Sequence, residues 1–299
     1  MSTPRTINRD DYNTLRSQII NILGSGSGSR GYGQSIASSA LPAPPALVTV
    51  DDAQWDQLYI DLINIIIHQT GNLPPLPNVS EGDVVRLGAS FPLSAYENAI
   101  TNADTNRFNI ALSRGTLTSR GSVNYSTAWV TQAQSVVDVT FPSAADARYF
   151  FNSGGKIRFT SSRTGGSSSA QNASWTSLLT SAGVVAFSGN SSGLNFYSLT
   201  GSFQNFYIAS ASNPYSANNY KIEARCNIPD NSNGGATIVY FRITWSDTYV
   251  DFQPSPPNDQ VDGVLTLTVE ELKASGTLEP SGSFNIVSPT FNLSPISAS

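Results

Sequence analysis

Charge is scarce in this chain: 12% of its 299 residues are Asp, Glu, Lys or Arg, against roughly a quarter in ordinary soluble domains. What charge there is leans acidic, with a formal net of −5. Arg107, Arg114 and Arg120 are the nearest thing to a basic stripe, and their spacing across a polar stretch reads as a solvated face. That disfavours a nucleic-acid partner, since such binders displace phosphate counterions with clustered Lys and Arg. Cys226 is the single cysteine, so the chain alone makes neither a disulfide nor a zinc knuckle, and the residue reads as a small buried group on a strand. His68 is the single histidine. A catalytic triad would have to be built around it at the end of an apolar helix, with no GxSxG elbow in view. It reads instead as a positive group facing the last carbonyls of that helix. No run approaches the roughly 20 apolar residues of a membrane span, and MSTPRTINRDDYN lacks the apolar core of a signal peptide. The expectation is synthesis in a cytoplasm, with no membrane partner and no cofactor or metal.

Hydrophobic residues make up 39% of the chain and aromatics 10%, which argues for a folded core under a surface rich in Ser, Thr, Asn and Gly. Such a polar, weakly charged exterior is common among extracellular and virion proteins. Within Val136 to Thr160, Val137, Val139 and Phe141 alternate with polar residues and predict a half-buried strand that Pro142 ends. Ser143 suits an N-cap for about two turns of helix carrying Ala144, Ala147, Tyr149 and Phe150. Asn152-Ser153-Gly154-Gly155 stops the helix, and the chain reverses into the alternating strand that starts at Lys156.

Two helices are predicted upstream. The first spans Arg9 to Leu23, with Asn8 as N-cap, Gly24 past its end and one apolar stripe of Tyr12, Leu15, Ile19, Ile22 and Leu23. Gly24 to Gly33 reads as a flexible connector, and Leu41 to Leu47 as a stiff extended one. The second helix is capped by Thr49 or Asp51. Its distal half, through Leu62, Ile63, Ile65, Ile66 and Ile67, is apolar on nearly every side and must be covered all round. Further elements are short helices over Ser94–Thr101 and Ser174–Ser181. Strands are predicted over 135–141, 156–162, 184–188, 220–227, 236–245 and 263–272. The fold class that follows is mainly β: an antiparallel β-sandwich, jelly-roll-like, with N-terminal helices and an extended C-terminal arm. Residues 1–77 form a helical anchoring region, 78–275 the sandwich and 276–299 the arm.

Several of these segments resemble a family of virion structural proteins of contractile-tailed cyanophages. The resemblance rests on the YNTLRSQIINILG helix, the Gly-rich link ending GYGQ (31–34), the helix ending His68-Gln69-Thr70-Gly71 and, most specifically, ARYFFNSGGKIRF (147–159). The helix around Trp175 and the strand YKIEARCN (220–227) follow in the same order. Leu41–Leu47 and Phe284–Ile296 lie outside the resemblance. It implies a non-enzymatic structural component of a phage particle, in the tail apparatus or neck, whose partners are other virion proteins.

The residues point to assembly as well. Leu15, Ile19, Ile22, Ile63, Ile66 and Ile67 on the helices, and Phe284, Ile286, Phe291, Leu293 and Ile296 on the arm, are the candidate interface of a homo-oligomer, a trimer first among the options. An extended apolar arm is costly in water, so it either lies across its own sandwich or adds to a neighbour's edge. Deleting 276–299 is expected to loosen assembly and leave the β fold intact. Two other readings are a receptor- or glycan-binding adhesin, with Trp129 as the candidate contact to host surface glycan, and a capsid decoration protein. Gly26 to Gly31 matches GxGxxG by letters alone, but a helix precedes it where a strand is needed. The carboxylate pairs Asp51/Asp52 and Glu270/Glu271 are adjacent and do not converge, whereas Asp138, Asp247 and Asp251 meet only if the fold brings them together.

Overall fold

The computed structural model describes residues 8–43, 50–76, 92–229, 235–249 and 260–298. Thr49, the Pro77 boundary, Asp251 and much of the Leu41–Leu47 segment lie outside them. The chain divides into two compact units. One comprises Met1–Thr116, Arg148–Gly155 and Lys273–Ile286; the other comprises Leu117–Ala147, Lys156–Leu272 and Val287–Ser299. The helical unit therefore runs on past 77, and it takes in two later stretches of chain.

In that unit, α1 (Arg9–Leu23) starts where Asn8 accepts from the Asp11 amide while Asp11 accepts from the Asn8 amide, a reciprocal cap that satisfies two orphan donors. The second helix, α2 (Asp52–Thr70), has the same device in Asp51 and Gln54, and Gly71 closes it in the left-handed conformation. With α3 (Pro92–Thr105) these helices pack pairwise. The expected stripe Tyr12, Leu15, Ile19, Ile22 and Leu23 is buried throughout. Asp61 and Asn64 interrupt the apolar run of α2 and are buried as well, each hydrogen-bonded to backbone. Asp61 accepts from the amides of Ala37 and Ser38 and from the Ser38 hydroxyl, at 2.6–2.9 Å. Asn64 exchanges two hydrogen bonds with the Glu279 backbone.

The other unit is an antiparallel β-sandwich. Along the chain run β1 (Gly115–Tyr125), β2 (Gln132–Thr140), α4 (Ala144–Asn152), β3 (Lys156–Thr164), α5 (Ala170–Ala182), β4 (Val184–Phe187), β5 (Gln204–Ser210), β6 (Asn219–Cys226), β7 (Ile238–Ser246), β8 (Val264–Ala274), β9 (Thr290–Leu293) and β10 (Ser297–Ala298). One sheet has the order β1-β8-β3-β4; the other has β10-β2-β7-β6-β5, with β9 also on β2. The neighbours β1/β8 and β2/β7 fall in different sheets, as in a jelly roll, while β5, β6 and β7 form a plain meander in one. Strict alternation in β2, β3 and β8 sends Val137, Val139, Ile157, Phe159, Leu267 and Val269 inward. Between the sheets Phe241 meets Phe159 and Phe187, with ring centroids 4.8 and 5.1 Å apart. Cys226 lies buried on β6, as its residue type predicts.

The Gly24–Gly33 stretch is a packed turn rather than a flexible connector. Gly26, Gly28, Gly31 and Gly33 take positive φ, which lets the turn fold back on itself. The turn is then tied down: Arg30 makes a two-point pair with Asp104, Arg107 donates to Ser29, and Arg148 donates to the carbonyls of Gly28 and Arg30.

Candidate functional site

Of the segments that carry the resemblance, α1, GYGQ, the end of α2 and residues 148–155 belong to the helical unit, whereas 156–159, the helix around Trp175 and the strand 220–227 belong to the sandwich. Asn152, at the end of α4, donates to the carbonyls of Arg30 and Gly31 at 2.9 and 3.1 Å. Gln69 donates to the Tyr32 hydroxyl and to Ala103 O, both at 2.8 Å, and Tyr32 donates on to Arg107 O at 2.6 Å. His68 Nε2 donates to Ser153 O at 2.8 Å, which fixes its tautomer. The His68 ring meets Tyr32 edge-on and stacks on Phe284. GYGQ, the end of α2, the turn after α4 and the arm therefore close one buried polar knot. Apart from His68 Nδ1, which has no hydrogen-bond partner among the described residues, these hydrogen bonds run to one another and to backbone, so the knot holds elements in place. Burial drives the Tyr32 phenol upward from its ordinary range and the His68 imidazole down to about 4.

That last value corrects the expectation of a positive His68 at a helix end. With 1% of its surface exposed, the imidazole loses hydration that a charge would need, and Arg114 opposes protonation further. The residue is neutral at pH 7.

Most of the expected assembly residues are also used within the chain. Leu15, Ile19, Ile22, Ile63, Ile67, Phe284, Ile286 and Ile296 are all buried in a single copy. The cover that α2 needs all round comes from α1, α3, the 34–41 segment and the first part of the arm. As a standing intersubunit patch this set is therefore overturned. Ile66, Phe291 and Leu293 remain half-buried, and Ile66 lines a groove of about 290 Å³ with Pro74, Pro75 and Ala99.

The arm takes the first of its two expected courses and lies on its own chain. Phe284 and Ile286 anchor it in the helical unit, where the Asn285 amide donates to Gln34. Farther on, β9 pairs with β2 from Val137↔Leu293 to Thr140↔Thr290, and β10 pairs at Gln134↔Ser297 and Ala133↔Ala298. Ser294 bridges the two, its amide donating to Val136 O and its carbonyl accepting from the Ser135 hydroxyl. The arm thus adds strands to an edge of the six-stranded sheet. Beneath it, Arg120 of β1 pairs with Glu271 of β8, its Nε donating to Oε2 at 2.7 Å, and the guanidinium carbon lies 5.4 Å from the Phe291 ring centre.

Trp129 does not offer a glycan platform. It is 4% exposed, its backbone bridges Val261 and its ring meets Trp175 edge-on at 5.1 Å. Asp138 and Asp247 do not converge either. Asp138 lies opposite Tyr240 on β7, whereas the Asp247 amide donates to Thr131 O beyond the far end of that strand. Seven residues of strand hold them roughly 23 Å apart. Asp247 is instead buried against Gln171 of α5. Glu270 and Glu271 point to opposite faces, as neighbours on a strand must, with Glu270 near Arg158 and Glu271 inward.

Sequence reasoning did not reach Asp61, Asn64, Asn152 or the Arg120–Glu271 pair. The first two were signalled by polar residues inside an apolar helical run; the pair had no local signal, because its members are far apart in the chain. Compared with known proteins, the chain matches no family model, no curated protein and no solved structure. Fold and site together define an antiparallel β-sandwich protein with a helical unit and a strand-donating C-terminal arm. Among the described residues no helix is long and apolar enough to cross a membrane.

Proposed function

We propose that this chain is a non-enzymatic structural component of a bacteriophage virion, in its tail apparatus or neck, and that it assembles by exchanging C-terminal arms between copies. The observation that supports this reading is the arm itself: β9 and β10, of 4 and 2 residues, meet the sandwich by adding to the edge of β2. Strand addition of this kind needs no change of register when the recipient is another copy, because exchange of an identical element keeps every contact. The low charge and the Ser-, Thr- and Asn-rich surface agree with a particle component. So does the use of the resemblance-bearing segments to brace a fold.

The test is a Gln134→Cys/Ser297→Cys chain, whose new cysteines sit at Cα partners of the β2–β10 ladder. In the assembled protein, oxidation is expected to join different chains, read as multiples of the chain mass on a non-reducing gel. If the bridge forms only within single chains and a chain lacking 287–299 still enters particles, assembly does not use the arm.

A further inference from the structure

The arm lies over an ion pair as well as beside hydrocarbon: Phe291 and Leu293 pair with Val139 and Val137 of β2. Glu271 sits on the inward-facing register of β8 with Leu265, Leu267 and Val269, and none of its surface is exposed. Its Oε2 accepts from both Nε and Nη2 of Arg120. Its Oε1 has no hydrogen-bond partner among the described residues. Phe291 of β9 lies over the guanidinium, and Leu293 of β9 lies beside Gly121, close enough that a Cβ there would be 3.4 Å from its Cδ2. Arg120 keeps 27% of its side chain exposed, so the main cost is that of taking the Glu271 carboxylate out of water, several kcal/mol, and an unfilled carboxylate lone pair leaves part of that cost unrepaid. An arm that shields such a pair is held less firmly than one shielding aliphatic side chains of the same volume. When the arm lifts, water regains the pair and offsets part of the lost apolar contact. The apolar part of the grip is itself small, resting on Phe291, Leu293 and Ile296.

We infer that the Arg120–Glu271 pair is a release device for the arm: it keeps the closed state only moderately favourable, so that β9 and β10 can leave their own β2 for that of another copy. The inference rests on the arm-exchange reading for its purpose, but the device itself is a property of one chain.

The experiment is amide hydrogen exchange on purified full-length chain, comparing residues 290–298 with core amides of β3 and β7. In Arg120→Met/Glu271→Leu, the arm amides are expected to exchange about tenfold slower or more, relative to the core, since apolar replacement of a buried pair is often stabilising. In Arg120→Ala, which strands a buried carboxylate, they are expected to exchange faster relative to the core; this arm of the test stands even if the double variant does not fold. Unchanged arm exchange in either folded variant, faster exchange in the double variant, or equal shifts of arm and core would overturn the inference. Mixing two mass-labelled populations of wild-type chain then tests the purpose. A locked arm in the double variant with no exchange between wild-type copies would leave the device standing and remove the assembly reading.

Discussion

The imidazole of His68 lies stacked on the ring of Phe284, centroids 4.3 Å apart and planes within 25°. Although 216 positions separate them in sequence, this contact ties the end of α2 to the C-terminal arm. Burial around the ring favours the neutral imidazole. Folding depresses the His68 pKa to about 4, below its unfolded value near 6.5, so the folded chain binds fewer protons between those limits. Stability is then full above pH 6.5 and falls as the pH drops towards 4, by at most about 1.4 kcal/mol per unit from this group. Denaturant midpoints at pH 7 and pH 5 should differ more for the native chain than for His68→Gln. Equal differences would show that folding leaves the His68 pKa near its unfolded value.

Phe284→Ala should lower stability by about 3–5 kcal/mol, as expected for a large buried side chain whose site cannot collapse. The loss is readable by urea unfolding.

Gly33→Ala should be costly for two separable reasons. Its φ is +68, and an added Cβ would lie 2.3 Å from the Tyr149 ring. The backbone strain alone is on the order of 1–3 kcal/mol. Adding Tyr149→Ala should recover the steric part and not the strain, so the double variant falls between Gly33→Ala and Tyr149→Ala in thermal midpoint.

Removing 287–299 should destabilise the sandwich, contrary to the expectation from sequence that the β fold survives deletion of the arm. Ile296 is buried, and β2 loses the ladder partners on one edge while keeping β7 on the other. A loss of at least about 2 kcal/mol follows, the low end for deleting a buried aliphatic side chain, along with concentration-dependent aggregation through the bared edge. Calorimetry and light scattering on the same sample would separate the two.

Trp129→Ala should cost about 3–5 kcal/mol and leave any glycan-array signal of the folded chain unchanged. A selective loss of glycan binding at native stability would restore the adhesin reading.

What could be read in advance depended on how local the cause was. The caps Asn8, Asp51 and Ser143 act within three residues of themselves, and the helices they open are where the sequence places them. The strands β2, β3, β6, β7 and β8 announce themselves by alternation. In contrast, β1 has no buried residue, so no apolar period marks it. The ladder of β5 slips between Asn205 and Tyr207, which breaks its period, and β9 and β10 exist only because β2 offers them an edge. The interface residues were misplaced for a related reason. Apolar excess is visible in sequence, but whether the chain itself covers it depends on contacts such as Asn64 with Glu279, which no window of sequence spans.

The burial of Cys226 has a practical corollary. Cys226 is 1% exposed on β6, its thiol donating to the carbonyls of Thr200 and Ile228 and its backbone paired with β7, so a thiol-reactive dye should modify it only when the sandwich opens. The native sequence thus carries its own unfolding clock, and it needs no added label to time how long a variant keeps its core shut.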